Sequence, residues 1–479
     1  MSSTTAATIH VAEFIDSRPI SRFQTRVVLM CAAVLFADGF DTQAIGYVAP
    51  ELTRLWQIPR GALGPVLSAG LVGLMLGAML FSPVADRIGR KRILVASTAW
   101  FALGTLATVF AHDPATLMAI RFATGLGLGG ARPNAVALAA EYSPHRRRAT
   151  LVMLAFCGFS VGAAVGGWIA YALIPRFGWQ SVFIVGGALP LLLVPVLAWR
   201  LPESIRFLAL RYQAGSAMAA LLGQIDPAAR IDASTRFLLH EERAEGSPVT
   251  QLFSAGRTAV TMLMWVVFFM SLLDLYFLSN WLPTVMADLG ASVSEAALIS
   301  SMLQVGGFIS VLALGRVMDR FSFLGLAITY VAAAVAIALV GQAGHSKAGH
   351  STAVATVAIF AAGFCIVGAQ TAANELAAAF YPTALRSTGV GWALGIGRIG
   401  SIVGPLLGGV LLAKQWGAED LFVVAAVPAL IAAVAAAAIW LRRRGEIGRR
   451  GEIGRRGEIG RRGEIGRRGE IGRRGEIGA

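Results

Sequence analysis

Long apolar runs separated by short polar segments set the pattern along the whole chain. A membrane-spanning helix needs about 20 predominantly apolar residues, and by that measure spans are predicted near 27–48, 63–82, 93–111, 115–139, 149–171 and 180–199. After a polar stretch from Arg200 to Gly256, apolar runs resume near 257–286, 295–315, 322–342, 352–378, 387–412 and 420–441. The pattern predicts an all-α membrane protein of twelve transmembrane helices in two six-helix bundles. Its parts would be a polar N-terminal segment 1–26, a first bundle 27–199, a central loop 200–256, a second bundle 257–441 and a tail 442–479. Asp38 and Asp41 interrupt the first run, which lacks the short unbroken core and small-residue cleavage site of a signal peptide, so it reads as a retained span.

Composition narrows the class. The chain is 479 residues long, 56% hydrophobic and only 14% charged, against about 25% charged in an ordinary soluble domain, which excludes a water-soluble globule. Basic residues are confined to short stretches between apolar runs, which points to membrane orientation rather than to nucleic acid. One side carries ten of them: Arg87, Arg90, Lys91, Arg92, Arg146, Arg147, Arg148, Arg316, Arg320 and Arg386. The other carries five: Arg54, Arg60, Arg176, Lys347 and Lys414. The richer side, with both termini and the central loop, is therefore expected in the cytoplasm. The tail repeats Arg-Arg-Gly-Glu-Ile-Gly six times from Arg443 to Gly478. Its low apolar content and recurring glycines predict disorder beside an anionic leaflet.

Cys31, Cys157 and Cys365 all fall inside apolar runs, with no metal-ligand spacing, so neither a disulfide framework nor a metal site is expected. No cofactor is implied, and the chain is expected to act as a monomer. An enzyme is not indicated either: His10, His112, His145, His240, His345 and His350 fall at predicted helix ends or in loops, and no Ser-His-Asp arrangement or phosphate loop occurs.

The two bundles echo each other. Asp86-Arg87 follows the second span and Asp319-Arg320 the eighth. Tyr142-Ser143-Pro144 with Arg148-Ala149-Thr150 follows the fourth, and Tyr381-Pro382 with Arg386-Ser387-Thr388 the tenth. Gly162, Gly166 and Gly167 in the fifth span match Gly404, Gly408 and Gly409 in the eleventh. Six spans return the chain to its starting side, so the halves are parallel repeats about an axis along the membrane normal, with a site between them.

These residues resemble the major facilitator superfamily. The stretch Ser82-Pro-Val-Ala-Asp86-Arg87-Ile-Gly89-Arg90-Lys91-Arg92 looks like its loop between spans 2 and 3. Arg121-Phe-Ala-Thr-Gly125-Leu-Gly127-Leu-Gly129-Gly130 looks like its fourth-span motif. Asp38-Gly39-Phe40-Asp41, Pro133-Asn134, and Tyr381-Pro382-Thr383 through Gly389-Val-Gly-Trp392 to Arg398 resemble the aromatic acid:proton symporters within it. The chain departs from that pattern at Arg132 and Asp274. The resemblance covers roughly residues 20–441 and implies a carrier in the cytoplasmic (inner) membrane that imports an aromatic carboxylate with H+ by alternating access. A drug:proton antiporter, a sugar or organic-acid porter, and a non-transporting sensor are the rival readings. The fifth span lacks the proline that exporters of this superfamily usually carry there, which weighs against the antiporter.

Depth assigns roles. Asp38 and Arg398 each lie eleven residues from a cytoplasmic helix end, or about 16 Å, near the midplane, and Asp41 shares the helix face of Asp38. Intramembrane acids are functional by default, so Asp38 or Asp41 is expected to carry the coupled proton. The alternative is that Asp38 sits in a structural pair with an arginine. For the anionic substrate, Arg398 is the expected carboxylate clamp. Arg121 could bind substrate, relay protons or snorkel outward, and Arg132 is expected to snorkel to the cytoplasmic end. Gln304, Gln370 and Asn374 can hydrogen-bond the substrate or bridge helices. Phe40, Trp265, Tyr276, Phe277, Trp281 and Trp392 are candidates to stack on a ring.

Asp86, Arg87, Arg90 and Lys91 form a predicted cytoplasmic gate, with Asp319 and Arg320 a weaker second latch. Gly125, Gly127, Gly129 and Gly130, like Gly162, Gly166 and Gly167, are read as sites of close helix approach. Leu201-Pro-Glu203-Ser-Ile-Arg-Phe-Leu208, which also resembles sugar porters, is expected to start a surface helix.

Overall fold

In the computed structural model, residues 8–212, 215–227, 229, 236–238, 248–254, 256–342 and 350–445 are described. Twelve long helices account for most of them. In the first half they are α1 (Arg22–Trp56), α2 (Leu63–Ile88), α3 (Arg90–Ala107), α4 (Pro114–Glu141), α5 (Arg148–Phe177) and α6 (Gln180–Arg200). The second half has α7 (Thr258–Asp288), α8 (Val293–Ala313), α9 (Gly315–Gln342), α10 (His350–Phe380), α11 (Thr383–Ala413) and α12 (Ala418–Gly445). Eleven of them are long and apolar enough to cross a membrane. The exception is α4, whose 28 residues include the buried arginines Arg121 and Arg132.

Helix ends follow local chemistry. Ser21 starts α1 with a reciprocal capping box to Gln24, its hydroxyl accepting the Gln24 N–H at 3.2 Å. Asp113 caps α4 just before Pro114. The helices outrun their apolar cores: α1 reaches eight residues past the predicted boundary at 48, to Trp56, because hydropathy marks only the part in hydrocarbon. The chain bends near the start of α9 at Ser322 (φ 50°, ψ −131°), so the membrane-length part of that helix is Phe321–Gln342.

The central stretch holds two short helices, Ile205–Tyr212 and Gly215–Ile225. A small strand pair also occurs, Thr8–His10 parallel to Arg236–Leu238, which the all-helical expectation did not include. The repeat tail beyond Gly445 lies outside the described residues.

Packing reproduces the internal repeat. α1 lies on α5 as α7 lies on α11, and α2 on α4 as α8 on α10. Glycines permit each approach: a Cβ at Gly162 would overlap the Phe36 carbonyl on α1, and one at Gly363 on α10 would overlap the Leu303 carbonyl on α8. The halves meet along α1 with α7, α2 with α11 and α5 with α8. The closest of these meetings are at the Arg60 end and at mid-depth. Arg60 pairs with Asp288 at 2.7 Å, Gly61 and Gly64 abut Gly409, and the Ser68 hydroxyl donates to the Ile402 carbonyl at 3.0 Å. Above that closure an open basin of about 880 Å³ is lined by Pro50, Arg54, Arg176 and Thr284.

Candidate functional site

Charge collects at the centre of the first half. α1 brings Asp38 and Asp41 one turn apart, both completely buried, and each meets an arginine of α4. Arg121 donates to the two Asp41 oxygens at 2.9 and 2.8 Å and to the Asp41 carbonyl at 3.2 Å. Thr105 of α3 donates to the same carboxylate at 2.6 Å. Arg132 donates to the two Asp38 oxygens at 2.5 and 2.8 Å, with Thr42 as a further donor at 3.3 Å and the Phe159 ring 4.8 Å from the guanidinium. Both contacts have the bidentate geometry that makes arginine–carboxylate pairs strong.

Two expectations are corrected here. Neither Arg121 nor Arg132 snorkels: each side chain turns inward, because a buried carboxylate on α1 offers a charge-assisted partner that the helix end does not. Pairing also takes Arg121 out of the set of free guanidiniums for a substrate anion. The alternative weighed for Asp38, a pair with an arginine, is what this conformation contains.

The third central guanidinium differs. Arg398 of α11 is partly buried and donates to the Tyr276 hydroxyl of α7 at 3.3 Å. No carboxylate pairs with Arg398 among the described residues. Tyr276 also faces Arg132, so its hydroxyl lies between one guanidinium of each half. One and two turns along the Arg398 face of α11 are Gly395 and Gly391. Both are exposed, and a Cβ there would meet nothing within 4 Å, so this face opens onto free space. On the other flank, Tyr276 packs with Leu71, Leu272 and Ile402. The result is a lone cation, a phenol and an apolar wall where α2, α7 and α11 converge.

Other predicted residues are placed as follows. Gln304 donates to the Ser279 hydroxyl at 3.3 Å, and Gln43 of α1 donates to the Ser279 carbonyl at 2.5 Å, so this group bridges the halves. The amide Oε1 and Nε2 of Gln370 and the Oδ1 of Asn374, one turn apart on α10, are buried without hydrogen-bond partners. Phe40 does not line the centre; it is taken up by packing against Gly166 and Gly186 inside the first half. Trp392 lies about 9 Å along α11 from Arg398, is 44% exposed, and stacks on Trp265 at 5.8 Å. Trp281 donates to the Pro405 carbonyl at 3.0 Å and ties α7 to α11.

At the Arg90 end the predicted gate is held within the first half. Arg90 bridges Asp86 at 3.1 Å and Glu141 at 2.5 Å. Glu203 accepts the Lys91 backbone N–H at 2.9 Å, while Ser204 donates to Glu141 at 2.7 Å. Arg87 is not free either. Glu141 and Glu203 were not anticipated as gate members. Their signal was their position, directly before Tyr142-Ser143-Pro144 and inside Leu201-Pro-Glu203-Ser204. The side chains of Asp319 and Arg320 lie outside the described residues.

Comparison with known proteins extends this picture. The Major Facilitator Superfamily pattern matches residues 31–262 and 264–471. The chain is 43% identical over 431 residues to the 4-hydroxybenzoate transporter PcaK of Pseudomonas aeruginosa, covering 89% of this chain and 95% of that protein. It is 42% identical to a gallate transporter of Pseudomonas putida, over 90% of this chain and 94% of the relative. Among solved structures, a bacterial homologue of the human lysosomal transporter Spinster, inward-facing and occupied, superposes with a TM-score of 0.66 at 16% identity, covering 89% of this chain and 98% of that one.

Proposed function

Because the chain belongs to the major facilitator superfamily, we propose that it imports an aromatic carboxylate together with a proton. It is a multi-pass membrane transporter, not an enzyme. The observation that carries the reading is the charge count at the centre. Three guanidiniums converge on two carboxylates, and the one without a carboxylate, Arg398, borders open space beside Tyr276. An anion fits there, and the apolar flank of Leu71, Leu272 and Ile402 suits a flat ring. The partnerless amides of Gln370 and Asn374 supply donors and acceptors for ring hydroxyls. The relatives' 4-hydroxybenzoate and gallate are both of this class.

Coupling runs through α1. With Asp38 and Asp41 ionised, Arg132 and Arg121 neutralise them, as in this conformation. A proton on either carboxylate replaces its arginine's charge and frees that guanidinium. Arg132, which already faces the Tyr276 hydroxyl, would then strengthen the anion site. Proton binding and anion binding thus favour each other, which is the linkage a symporter requires.

The excess of basic residues in the loops of the Arg90 side supports an orientation with that end and both termini in the cytoplasm. On that assignment, the contacts at the Arg60 end close the outer mouth and this conformation faces inward. Nothing in the mechanism needs a second subunit, so the unit of transport is one chain.

The test is uptake of labelled 4-hydroxybenzoate by proteoliposomes containing the purified chain. Accumulation should follow an inward proton gradient and collapse with an uncoupler. Uptake indifferent to the gradient would reject the symport, and export of an organic cation against it would favour the antiporter.

A further inference from the structure

Asp274 is, among the described residues, a fully buried intramembrane acid that this mechanism leaves idle. It lies in α7 with no exposed surface, and neither carboxylate oxygen has a hydrogen-bond partner. Its place in the chain is not arbitrary. The same number of residues separates Pro50 in α1 from Pro283 in α7, Asp86 from Asp319, and Asp41 from Asp274. Asp274 is therefore the second-half counterpart of Asp41, two residues from Tyr276 but turned away from the centre.

The surroundings of the two acids differ in one respect. Asp41 faces Thr105 of α3 and Arg121 of α4. Asp274 lies near the hydroxyl of Tyr330 on the equivalent helix, α9, and that hydroxyl in turn meets Ser271, one turn from Asp274 on α7. All of these side chains are fully buried. No cation takes the place of Arg121: among the described residues of α1, α8, α9, α10 and α11, the titratable group that meets Asp274 is Tyr330, and no charged side chain faces it. A buried carboxylate with neither countercharge nor donors is the costliest state a side chain can adopt, and such groups neutralise instead. The hydroxyls of Ser271 and Tyr330 lie beside each other and retain lone pairs that can accept from a carboxylic acid O–H.

We propose that Asp274, with Ser271 and Tyr330, is a second proton-carrying site, so that each half of the transporter loads one proton per cycle. The proposal rests on the symport reading above. In the loading step a carboxylate oxygen forms an O–H bond with a proton from outer water. In the release step that bond breaks, and the proton passes first to the neighbouring Tyr330 and Ser271 hydroxyls, which hold it in a hydrogen bond until water reaches the site as the halves move. Asp38 and Asp41 each have an arginine to replace a departing proton, whereas the Asp274 site has no such cation among the described residues.

Two measurements on the full chain in proteoliposomes test this. The first finds the imposed proton gradient at which 4-hydroxybenzoate flux reverses, giving protons per anion. The second records the infrared band of protonated carboxyl groups in H2O and D2O as pH is varied. In Asp274→Asn the ratio should fall by about one proton per anion, and a deuterium-sensitive, pH-dependent carboxyl band should disappear. An unchanged ratio with the band lost would make Asp274 a permanently neutral packing group and overturn the proposal, as would the absence of any band assignable to it. If Asp274→Asn does not assemble, the wild-type band and its shift in Tyr330→Phe decide: a carboxyl band that never responds to pH rejects the site. Failure of the wild type to take up 4-hydroxybenzoate would count against the substrate reading, and the infrared arm would still report on Asp274.

Discussion

Asp41 and Arg121 meet fork to fork in the protein interior, with both carboxylate oxygens engaged at 2.9 and 2.8 Å and both side chains almost wholly removed from solvent. Removing one partner of such a pair leaves the other charge buried and costs about 3–5 kcal/mol. Asp41→Asn should therefore abolish gradient-driven accumulation of 4-hydroxybenzoate and lower the melting temperature in detergent. Accumulation at the wild-type level would remove Asp41 from the coupling step.

Among the described residues the Arg398 guanidinium donates to a phenol and to no carboxylate, so its charge is available to an anion. Arg398→Met should weaken apparent substrate affinity by roughly thirtyfold, corresponding to about 2 kcal/mol for losing a charged hydrogen-bond partner. Tyr276→Phe removes a neutral hydroxyl and should cost about 1 kcal/mol, or roughly fivefold. The concentration dependence of initial uptake rates measures both. Equal losses for the two variants would mean that Arg398 does not hold the carboxylate.

Close helix crossings give a stability prediction that does not involve transport. A side chain at Gly162 would drive into the Phe36 backbone, which cannot move aside as a flexible side chain can. Gly162→Leu should lose at least about 1–3 kcal/mol to overpacking, visible as a lower melting temperature. At Gly223, in the short helix Gly215–Ile225, an added Cβ would meet nothing within 4 Å outside the helix's own backbone. Gly223→Ala should be neutral or stabilising by about 0.5–1 kcal/mol.

The Arg60–Asp288 pair joins the two halves at one mouth, but the Arg60 side chain is 54% exposed. Pairs in such settings contribute at most about 1 kcal/mol, so Asp288→Asn should shift the population toward the form open at that end by no more than roughly fivefold. Thiol labelling of Thr284→Cys, in the basin above the pair, would register the shift as faster modification. Unchanged labelling would show that the glycine contacts at Gly61 and Gly409 hold the mouth closed without the ion pair.

The helix count was legible because a bilayer imposes a length and a polarity on every span. Even α4 was counted despite its two arginines, since its glycine- and alanine-rich flanks keep the run recognisable. The central acids and Arg398 were legible because charges at that depth are rare. What each of them touches was not. Whether Arg132 reaches outward or turns to Asp38 depends on the rotation of α4 against α1, which no linear spacing reports. The same limit separates Tyr276, which meets Arg398, from Phe40, which is absorbed by its own half. Glu141 and Glu203 escaped notice because their partner, the loop after α2, is distant in sequence.

The two arginines of α4 bear on how the molecule is made. Each guanidinium at a helix centre adds about 2.5–3.5 kcal/mol to the free energy of leaving the translocon, and α4 carries two of them and is less apolar than the other eleven helices. Its countercharges reside on α1, which is synthesised earlier. Insertion of α4 should therefore be favoured when α1 is still beside the exit site, because the two can then enter lipid as a neutral pair.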